Sequence, residues 1–431
     1  MKKKSQKVQD VEIDYSKKLK RFDESWDFKG VNTKEYTHCF HVYPAMMIPQ
    51  VARRLINEFG KNAKILLDPY CGTGTSLVEA NLFGINAIGI DINKLACLIA
   101  KVKTTRLDIE TLDNIINEFN NYAFTLRFNP INHTSLRLPK VTNLDFWFSK
   151  NSQIKLLLIL NFINSIRDQD ISDFFKVAFS ETVREVSYVR LNEFKLVRKK
   201  NLSNKYNPDV FSIFSSKLQR NRNGLIEFLI DVRSDVFTKV YNFNAINEFP
   251  RVYFGYQSVD LVVTSPPYGD SKTTVAYGQF SRLPAQWLEI ENASEIDKLS
   301  MGGQRVKNLQ KFNCEILNET IKQIYKEDHK RALDVVSFYI DYEKSIYNVS
   351  QVVKRKGFVC YVVGNRTVKG IQIPNDEITK QMFEKLGFEH IETIVRNIPN
   401  KRMPLKNSPS NISGETSDTM RNEFIIILQK K

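Results

Sequence analysis

The class of fold can be predicted from one stretch of the sequence, Ala63-Lys64-Ile65-Leu66-Leu67-Asp68-Pro69-Tyr70-Cys71-Gly72-Thr73-Gly74-Thr75-Ser76. Its apolar first part predicts a buried parallel strand, and its second part is a glycine-rich turn. Residues 77–83 then predict a helix that Gly84 ends, and residues 85–90 predict a second strand that Asp91 closes. Strand, turn, helix and strand in this order predict a βαβ unit of an α/β fold with a Rossmann-like sheet.

The turn between the two strands suits an adenosine cofactor. Glycines let the backbone approach a ligand closely, and Asp91 lies about 20 residues past the turn, where an acid suits a ribose diol. NAD and ATP are alternatives, but the turn lacks the Gly-Lys-Ser/Thr end of a phosphate-binding loop and the three-glycine dinucleotide pattern. Asp68 would repel a pyrophosphate and attract an ammonium group. These features favour S-adenosylmethionine, which has an amino-acid end and no phosphates.

A second stretch, Ser265-Pro266-Pro267-Tyr268, follows residues 260–264, which predict another buried strand. Prolines cannot donate to a strand ladder, so the pair predicts a stiff corner at the carboxyl-terminal edge of the strand, where open α/β sheets bind ligands. The corner offers a hydroxyl, free carbonyls and an aromatic ring, and it could hold a flat ring that carries an amino group. A plain Pro-Pro turn with an exposed tyrosine is the alternative.

Residues 104–239 interrupt the α/β alternation, because residues 109–119, 152–166, 171–186 and 210–236 carry helical periodicity. They predict an inserted helical subdomain with a basic segment, residues 188–206, between its helices. The basic segment and the helix after it carry Arg190, Lys195, Arg198, Lys199, Lys200, Lys205, Lys217, Arg220 and Arg222, with Tyr188, Phe194 and Tyr206 as stacking candidates. Such a cluster favours contact with nucleic acid backbones, whereas a solvated basic loop is the alternative.

Composition bounds what the chain can be. It has 431 residues, enough for several domains, and a net charge of +15 with a pI near 9.3, which favours a polyanionic partner. Its five cysteines form no CxxC pair, His38 and His41 lack further metal ligands, and no apolar run is long enough to span a bilayer. We therefore predict a cytoplasmic protein without a metal site, with a loose amino-terminal arm over residues 1–35.

Three stretches resemble motifs of the amino-methylating, site-specific DNA methyltransferases of restriction–modification systems. Residues 68–75 resemble motif I of these enzymes, whose usual form is Asp-Pro-Phe-x-Gly-x-Gly-Thr, and residues 264–268 resemble their motif IV. Residues 41–45, His-Val-Tyr-Pro-Ala, resemble the segment that precedes motif I and helps to hold the methionine part of the cofactor. The resemblance covers residues 36–103 and 240–430 and leaves the helical insert only loosely covered.

The resemblance implies methyl transfer from S-adenosylmethionine to the exocyclic N4 amine of a flipped cytosine in double-stranded DNA, because the Ser-Pro-Pro-Tyr form is typical of N4-cytosine enzymes. The catalytic residues would be Ser265, Pro266, Pro267 and Tyr268. The cofactor-binding residues would be Tyr43, Pro44, Asp68, Tyr70, Gly72, Gly74, Thr75, Asp91, Ile92 and Asn244. The DNA contacts would be Arg190, Lys195, Arg198, Lys199, Lys200 and Arg282. Target recognition would lie in residues 104–239 and 270–335, and a cognate restriction endonuclease would act separately.

Three alternatives stay open. The same fold could methylate adenine N6, although adenine enzymes usually carry Asn or Asp at the position of Ser265. RNA guanine-N2 methyltransferases share a similar turn and corner, and a nucleic-acid-binding protein without activity could keep the fold. Cytosine C5 chemistry is excluded, because the chain has no Pro-Cys dipeptide to supply its nucleophile. Asn244 stands where the family usually has an acid, which predicts a lower affinity for the cofactor.

Overall fold

An eight-stranded sheet forms the centre of the computed structural model, which describes residues 19–128, 137–191, 193, 195–200, 206–250, 255, 257–270, 274–398, 406–407, 417–418 and 420–431. The strands are β1 (Lys20–Phe22), β2 (Ile65–Asp68), β3 (Asn86–Asp91), β4 (Thr238–Asn242), β5 (Val259–Thr264), β6 (Val353–Val363), β7 (Thr367–Val368), β8 (Ile371–Gln372), β9 (Phe388–Asn397), β10 (Lys406–Asn407), β11 (Ser417–Asp418) and β12 (Asn422–Lys430). The main sheet has the order β4-β3-β2-β5-β6-β12-β9-β1, and β7–β8 and β10–β11 form two small antiparallel pairs. In the main sheet β12 is antiparallel to both neighbours, and the other adjacent pairs are parallel.

Helices cover both faces of the sheet. They are α1 (Pro49–Phe59), α2 (Thr75–Leu82), α3 (Lys94–Thr104), α4 (Ile109–Phe128), α5 (Leu144–Trp147), α6 (Lys150–Ser165), α7 (Gln169–Val186), α8 (Val210–Asp231), α9 (Tyr277–Trp287), α10 (Ile296–Leu299), α11 (Glu315–Glu327), α12 (His329–Val352) and α13 (Asn375–Glu384), with 3-10 helices at Glu24–Trp26 and Tyr36–Phe40. Within these elements, no helix is long and apolar enough to cross a membrane.

Alternate residues of the central strands pack against different helical layers. Leu66 and Leu261 lie in a core with α1 and α2, whereas Leu67 and Val262 lie in a core with α11, α12 and α13. This alternation follows from the two-residue period of a strand, and it buries both faces of the parallel strands. The predicted α/β class with a Rossmann-like sheet is confirmed.

The order of the strands creates a crevice between β2 and β5. After β2 the chain continues to β3 and β4 on one side of it, and it returns later to form β5 and β6 on the other side. Open sheets of this kind bind ligands where the strand order switches, at the carboxyl ends of the strands. Asp68 ends β2 and Ser265 follows β5, so the glycine-rich turn and the Ser-Pro-Pro-Tyr corner meet at this switch point.

The connection from β3 to β4 carries α3 to α8, and β4 pairs in parallel with β3. Side chains from α4, α6, α7 and α8 share one apolar core with Leu283 and Trp287 of α9. The insert therefore packs against the segment that follows the Ser-Pro-Pro-Tyr corner. The boundaries of this insert as a subdomain, residues 104 and 239, stay a prediction.

The predicted loose arm over residues 1–35 is folded in part, and its residues 1–18 lie outside the described residues. Within the predicted amino-terminal arm, Lys20–Phe22 forms β1 and pairs with β9, and Trp26 is fully buried. The sequence around β1 is charged and shows no apolar pattern that would predict a strand. Backbone pairing with β9, and not burial of apolar side chains, stabilises β1. At the opposite edge of the sheet, β4 ends at Asn242, so Asn244 lies in the loop beyond it.

Candidate active site

The turn between β2 and α2 contains two glycines that are required for different physical reasons. Gly72 (φ 49°) has open space around it, so only its left-handed backbone favours glycine. Gly74 (φ 81°) caps α2, and a Cβ built on it would lie 2.9 Å from the Cβ of Ala100 in α3. Gly74 therefore allows the turn to pack closely on α3.

Asp68 is a buried carboxylate at the end of β2 that ties the turn to the neighbouring strand. Its Oδ1 accepts hydrogen bonds from Thr264 Oγ1 on β5 (2.5 Å) and from the backbone N–H of Tyr70 (3.1 Å), and its Oδ2 accepts one from Ser76 Oγ. Burial raises the pKa of Asp68 to about 6, although these three donors oppose the shift. The ends of β2 and β5 are thus joined at one carboxyl group.

Asp91 at the end of β3 organises the other side of the turn. Its Oδ2 accepts from the N–H of Gly72 (3.0 Å), and its Oδ1 accepts from the N–H of Asn93 (2.8 Å). The Asn93 amide in turn donates to the hydroxyls of Tyr43 and Ser281, both at 2.7 Å. Burial raises the pKa of Asp91 to about 6. One acid and one amide therefore connect the turn, the segment before α1, and α9.

A pocket opens between the turn and the corner. Nine of the ten predicted cofactor residues line it: Tyr43, Pro44, Asp68, Tyr70, Gly72, Thr75, Asp91, Ile92 and Asn244. Gly74 is not among the lining residues, because it faces Ala100. None of the described residues that line the pocket is a lysine or an arginine.

Asn244 is already engaged by the protein. Its Nδ2 donates to the carbonyl of Leu299 (3.0 Å), and its Oδ1 accepts from the backbone N–H of Ile246 (3.2 Å). The carbonyl oxygen keeps one lone pair for a further donor. A role for Asn244 in cofactor binding stays a prediction.

Sequence reasoning missed several residues that line the pocket. Phe243 enters next to Asn244, Tyr277 stacks on Tyr43 with ring centroids 6.0 Å apart, and Met301 comes from the loop after α10. The available signal for Phe243 was an aromatic residue at the carboxyl end of a strand, since it directly follows β4. Met301 carries no local signal, because only the tertiary fold brings its loop to the sheet edge.

The Ser-Pro-Pro-Tyr corner borders the same pocket. Ser265 and Pro267 line it, and Pro266 is buried behind them. The hydroxyl of Tyr268 lies 3.1 Å from Ser265 Oγ and donates to Glu423 Oε1 at 3.2 Å. The structure thus brings the serine, one proline and the cofactor turn together, while the tyrosine hydroxyl points away to β12.

The loop after the corner is fixed to the end of β6. Asp270, which is 1% exposed, pairs with Arg366 at 3.0 Å between the carboxylate and Nη1. Gly269 packs so closely on the Arg366 guanidinium that a Cβ there would overlap it. The corner is therefore held by the strand before it and by an ion pair after it.

His38 and His41 serve the packing of the 3-10 helix before α1. Nε2 of His38 lies 2.8 Å from Glu79 Oε1, and Nδ1 of His41 lies 2.8 Å from the carbonyl of Val42. Burial lowers the pKa of both histidines, that of His41 to about 4. In the part of the chain that the structure describes, no group of three His, Cys, Asp or Glu side chains could hold a metal ion.

The described residues of the basic segment contact the helices around them. Arg198 donates from Nε to the carbonyl of Phe146 (2.9 Å) and lies over its ring, and Lys199 donates to the hydroxyl of Tyr206 (3.2 Å). Lys195 and Lys200 are the segment's exposed predicted contacts, whereas Arg190 is half-buried and lies 3.7 Å from the Glu193 carboxylate. Lys205 and Phe194 lie outside the described residues.

Three other cations of the predicted cluster are paired within the protein. On α8, Lys217, Arg220 and Arg222 form ion pairs with Glu185, Glu181 and Asp113, respectively, at 2.5–2.6 Å. Arg282 lies on α9. Burial raises the pKa of the nearby Asp297, and the positive charge of Arg282 opposes that shift. These ion pairs neutralise much of the positive charge from which the sequence predicts a basic cluster.

Comparison with known proteins agrees with this architecture. A family model described as DNA methylase, for the N6/N4 class, matches residues 1–102. The type II methyltransferase M.MvaI of Kocuria varians is 40% identical over 438 residues, which cover 96% of this chain and 95% of that protein. The type II methyltransferase M.MjaII of Methanocaldococcus jannaschii is 27% identical over 58% of this chain and 47% of its own length.

A shorter similarity concerns an RNA-modifying enzyme. The tRNA (guanine(10)-N2)-dimethyltransferase of Methanocaldococcus jannaschii is 38% identical over 93 residues, or 19% of this chain and 26% of that protein. The full-length match to M.MvaI, by contrast, spans both the sheet and the helical insert. The resemblance drawn from the sequence motifs is confirmed, and the chain belongs to the amino-methylating DNA methyltransferases of restriction–modification type.

Proposed function

We propose that this DNA methyltransferase transfers a methyl group from S-adenosylmethionine to the N4 amine of a flipped cytosine. The observation that carries the proposal is Ser265, which stands first in the Ser-Pro-Pro-Tyr corner and lines the pocket beside the glycine-rich turn. A serine at this position resembles the N4-cytosine motif, whereas adenine N6 enzymes usually carry Asn or Asp.

The pocket suits a cofactor without phosphates. It has two acids, Asp68 and Asp91, and no lysine or arginine among its described lining residues, so a pyrophosphate would be repelled. Met46, Phe243 and Met301 supply apolar walls for an adenine ring. We assign Asp68 to the cofactor ammonium group and Asp91 to its ribose hydroxyls. When bound, S-adenosylmethionine supplies an electrophilic methyl group.

The corner would hold the target base. Flipping a base out of the duplex costs a few kcal/mol, and the enzyme recovers this through contacts to the base. The Ser265 hydroxyl and the Pro266 carbonyl would accept the two N–H groups of the exocyclic amine and direct its lone pair toward the methyl group. The Tyr268 ring would stack on the base, and the proline pair would hold these groups rigid, so most of the rate gain comes from positioning.

The identity of the methylated base tests the proposal. Purified protein is incubated with plasmid DNA and S-adenosylmethionine, and the digested nucleosides are identified by mass spectrometry. We expect N4-methylcytosine and no N6-methyladenine. A product containing only N6-methyladenine would overturn the proposed substrate and leave the family assignment intact.

We infer further that double-stranded DNA contacts the basic segment and the residues around α9. The helical insert and α9 share one core beside the corner, so both can approach a duplex whose base enters the pocket. Residues 104–239 and 270–335 would then recognise the target sequence together. A separate cognate endonuclease fits the restriction–modification family and stays part of the proposal.

Loss of cations from the basic segment should weaken DNA binding. The triple substitution Arg198→Ala, Lys199→Ala and Lys200→Ala should reduce the slope of log affinity against log salt by about 0.9 for each lost phosphate contact. A triple alanine variant of Lys61, Lys64 and Arg355, exposed at the opposite edge of the sheet, removes the same charge and should keep the slope. Equal slopes in fluorescence anisotropy titrations of both variants would show that the basic segment is a solvated loop that does not contact DNA.

A further inference from the structure

A chain of hydrogen bonds connects the corner to the last two long strands. Ser265 Oγ lies 3.1 Å from the Tyr268 hydroxyl, which donates to Glu423 Oε1 at 3.2 Å. Glu423 Oε2 accepts from Arg396 Nη1 at 2.9 Å, and Glu423 on β12 lies directly opposite Arg396 on β9. The side chain of Arg396 is only 4% exposed. The chain thus runs from the sheet interior to the pocket.

The direction of this chain follows from the number of protons that each group carries. A carboxylate can only accept, so the single hydroxyl proton of Tyr268 goes to Glu423. The contact between Tyr268 and Ser265 must then use the serine proton. Ser265 Oγ donates to Tyr268 and keeps its lone pairs for the pocket.

We propose that Glu423, acting through Tyr268, fixes Ser265 as a hydrogen-bond acceptor for the target amine. This inference rests on the proposed function of the corner. Glu423 and Arg396 are positioning residues, since neither touches the base.

The need for such a relay lies in the chemistry of a hydroxyl group. A serine can donate as well as accept, whereas a carboxylate only accepts. If Ser265 donated to the amine nitrogen, it would occupy the lone pair that must attack the methyl group. An enzyme with serine at this position therefore needs a second group that takes up the serine proton.

The surroundings keep the hydroxyl proton on Tyr268, and Arg396 favours the ionised form of Glu423. Burial, together with the charge of Glu423, raises the pKa of Tyr268 well above its usual value, so the phenol stays protonated. Burial also raises the pKa of Glu423, but the adjacent Arg396 opposes that shift. Gly364 lies against the Tyr268 ring, where a Cβ would approach its Cδ2 to 2.9 Å, so glycine leaves room for this orientation.

Two single variants and their combination test the relay. In Glu423→Gln, the amide oxygen should turn to Arg396 and the NH2 group to Tyr268, which reverses the chain and makes Ser265 donate to the amine. We expect the single-turnover rate of methyl transfer to fall by tenfold or more, on the order of one lost hydrogen bond to a charged group. Tyr268→Phe removes the relay without reversing it and should cost less.

The combination gives the deciding result. Adding Tyr268→Phe to Glu423→Gln should raise the rate back to that of Tyr268→Phe alone, because the reversed donor no longer reaches Ser265. S-adenosylmethionine affinity by calorimetry should change less than twofold in all three variants. Glu392→Gln, which removes another strand carboxylate at an ion pair with Arg21, should leave the rate unchanged.

Additive losses in the double variant, or a normal rate in Glu423→Gln, would overturn the relay. The rates are measured as transfer of labelled methyl to DNA, whichever base receives it. Failure of the relay therefore appears in the rates, whereas failure of the proposed cytosine specificity appears in the nucleoside product.

Discussion

Ser265→Ala is expected to lower the single-turnover rate of methyl transfer by about 10²-fold, the size of effect seen when one preorganised hydrogen-bonding group is removed from a reacting centre. The substitution removes the hydroxyl that would accept the amine N–H, and it leaves the backbone carbonyls of the corner in place. The affinity for S-adenosylmethionine should stay within about twofold, because Asp68 and Asp91 hold the turn through contacts that do not include Ser265.

Ser300→Ala is the matched control for this prediction. Ser300 also lines the pocket, but its hydroxyl donates to the carbonyl of Ile296 at 2.9 Å. Its removal should leave methyl transfer nearly unchanged. A Ser265→Ala enzyme that works at close to the normal rate would show that the corner does not bind the target amine.

Gly74→Ala is expected to cause the largest loss of stability among changes in the turn. A left-handed residue with a Cβ costs about 1–2 kcal/mol, and overpacking against Ala100 adds about 1–3 kcal/mol. The loss should appear as a lower midpoint of denaturant unfolding and as weaker binding of S-adenosylmethionine, because Thr75 follows directly and lines the pocket.

Gly72→Ala separates the two contributions. Gly72 is also left-handed, but nothing lies within 4 Å of a Cβ built there, so only the conformational cost of about 1–2 kcal/mol applies. Equal destabilisation by the two substitutions would show that the contact with Ala100 relaxes freely.

The sequence predicted the parts of the site that lie at the ends of strands. Asp68, Asp91 and Ser265 each follow a short apolar run, and parallel strands bring their carboxyl ends to one edge, so local patterns locate all three. Tyr43 was found through the motif resemblance instead.

Other parts could not be found in this way, because they depend on tertiary packing. Met301 reaches the pocket from a loop without any motif, and Gly74 resembles a ligand-binding glycine although it packs on Ala100. The charge that the basic segment leaves free for a ligand also depends on tertiary packing. A count of cations cannot tell that Arg198 is bound to Phe146 or that Arg222 is paired with Asp113.

The position of β12 determines the order in which parts of the enzyme can fold during translation. β12 follows every other strand of the main sheet in the sequence, yet it lies between β6 and β9. On the ribosome these two neighbours emerge first, and the gap between them stays open until β12 has been translated. The βαβ unit around the turn consists of local contacts and can form early. A nascent chain thus gains its cofactor turn well before Glu423 on β12 can reach Tyr268, so we expect methylation to wait until β12 has been translated.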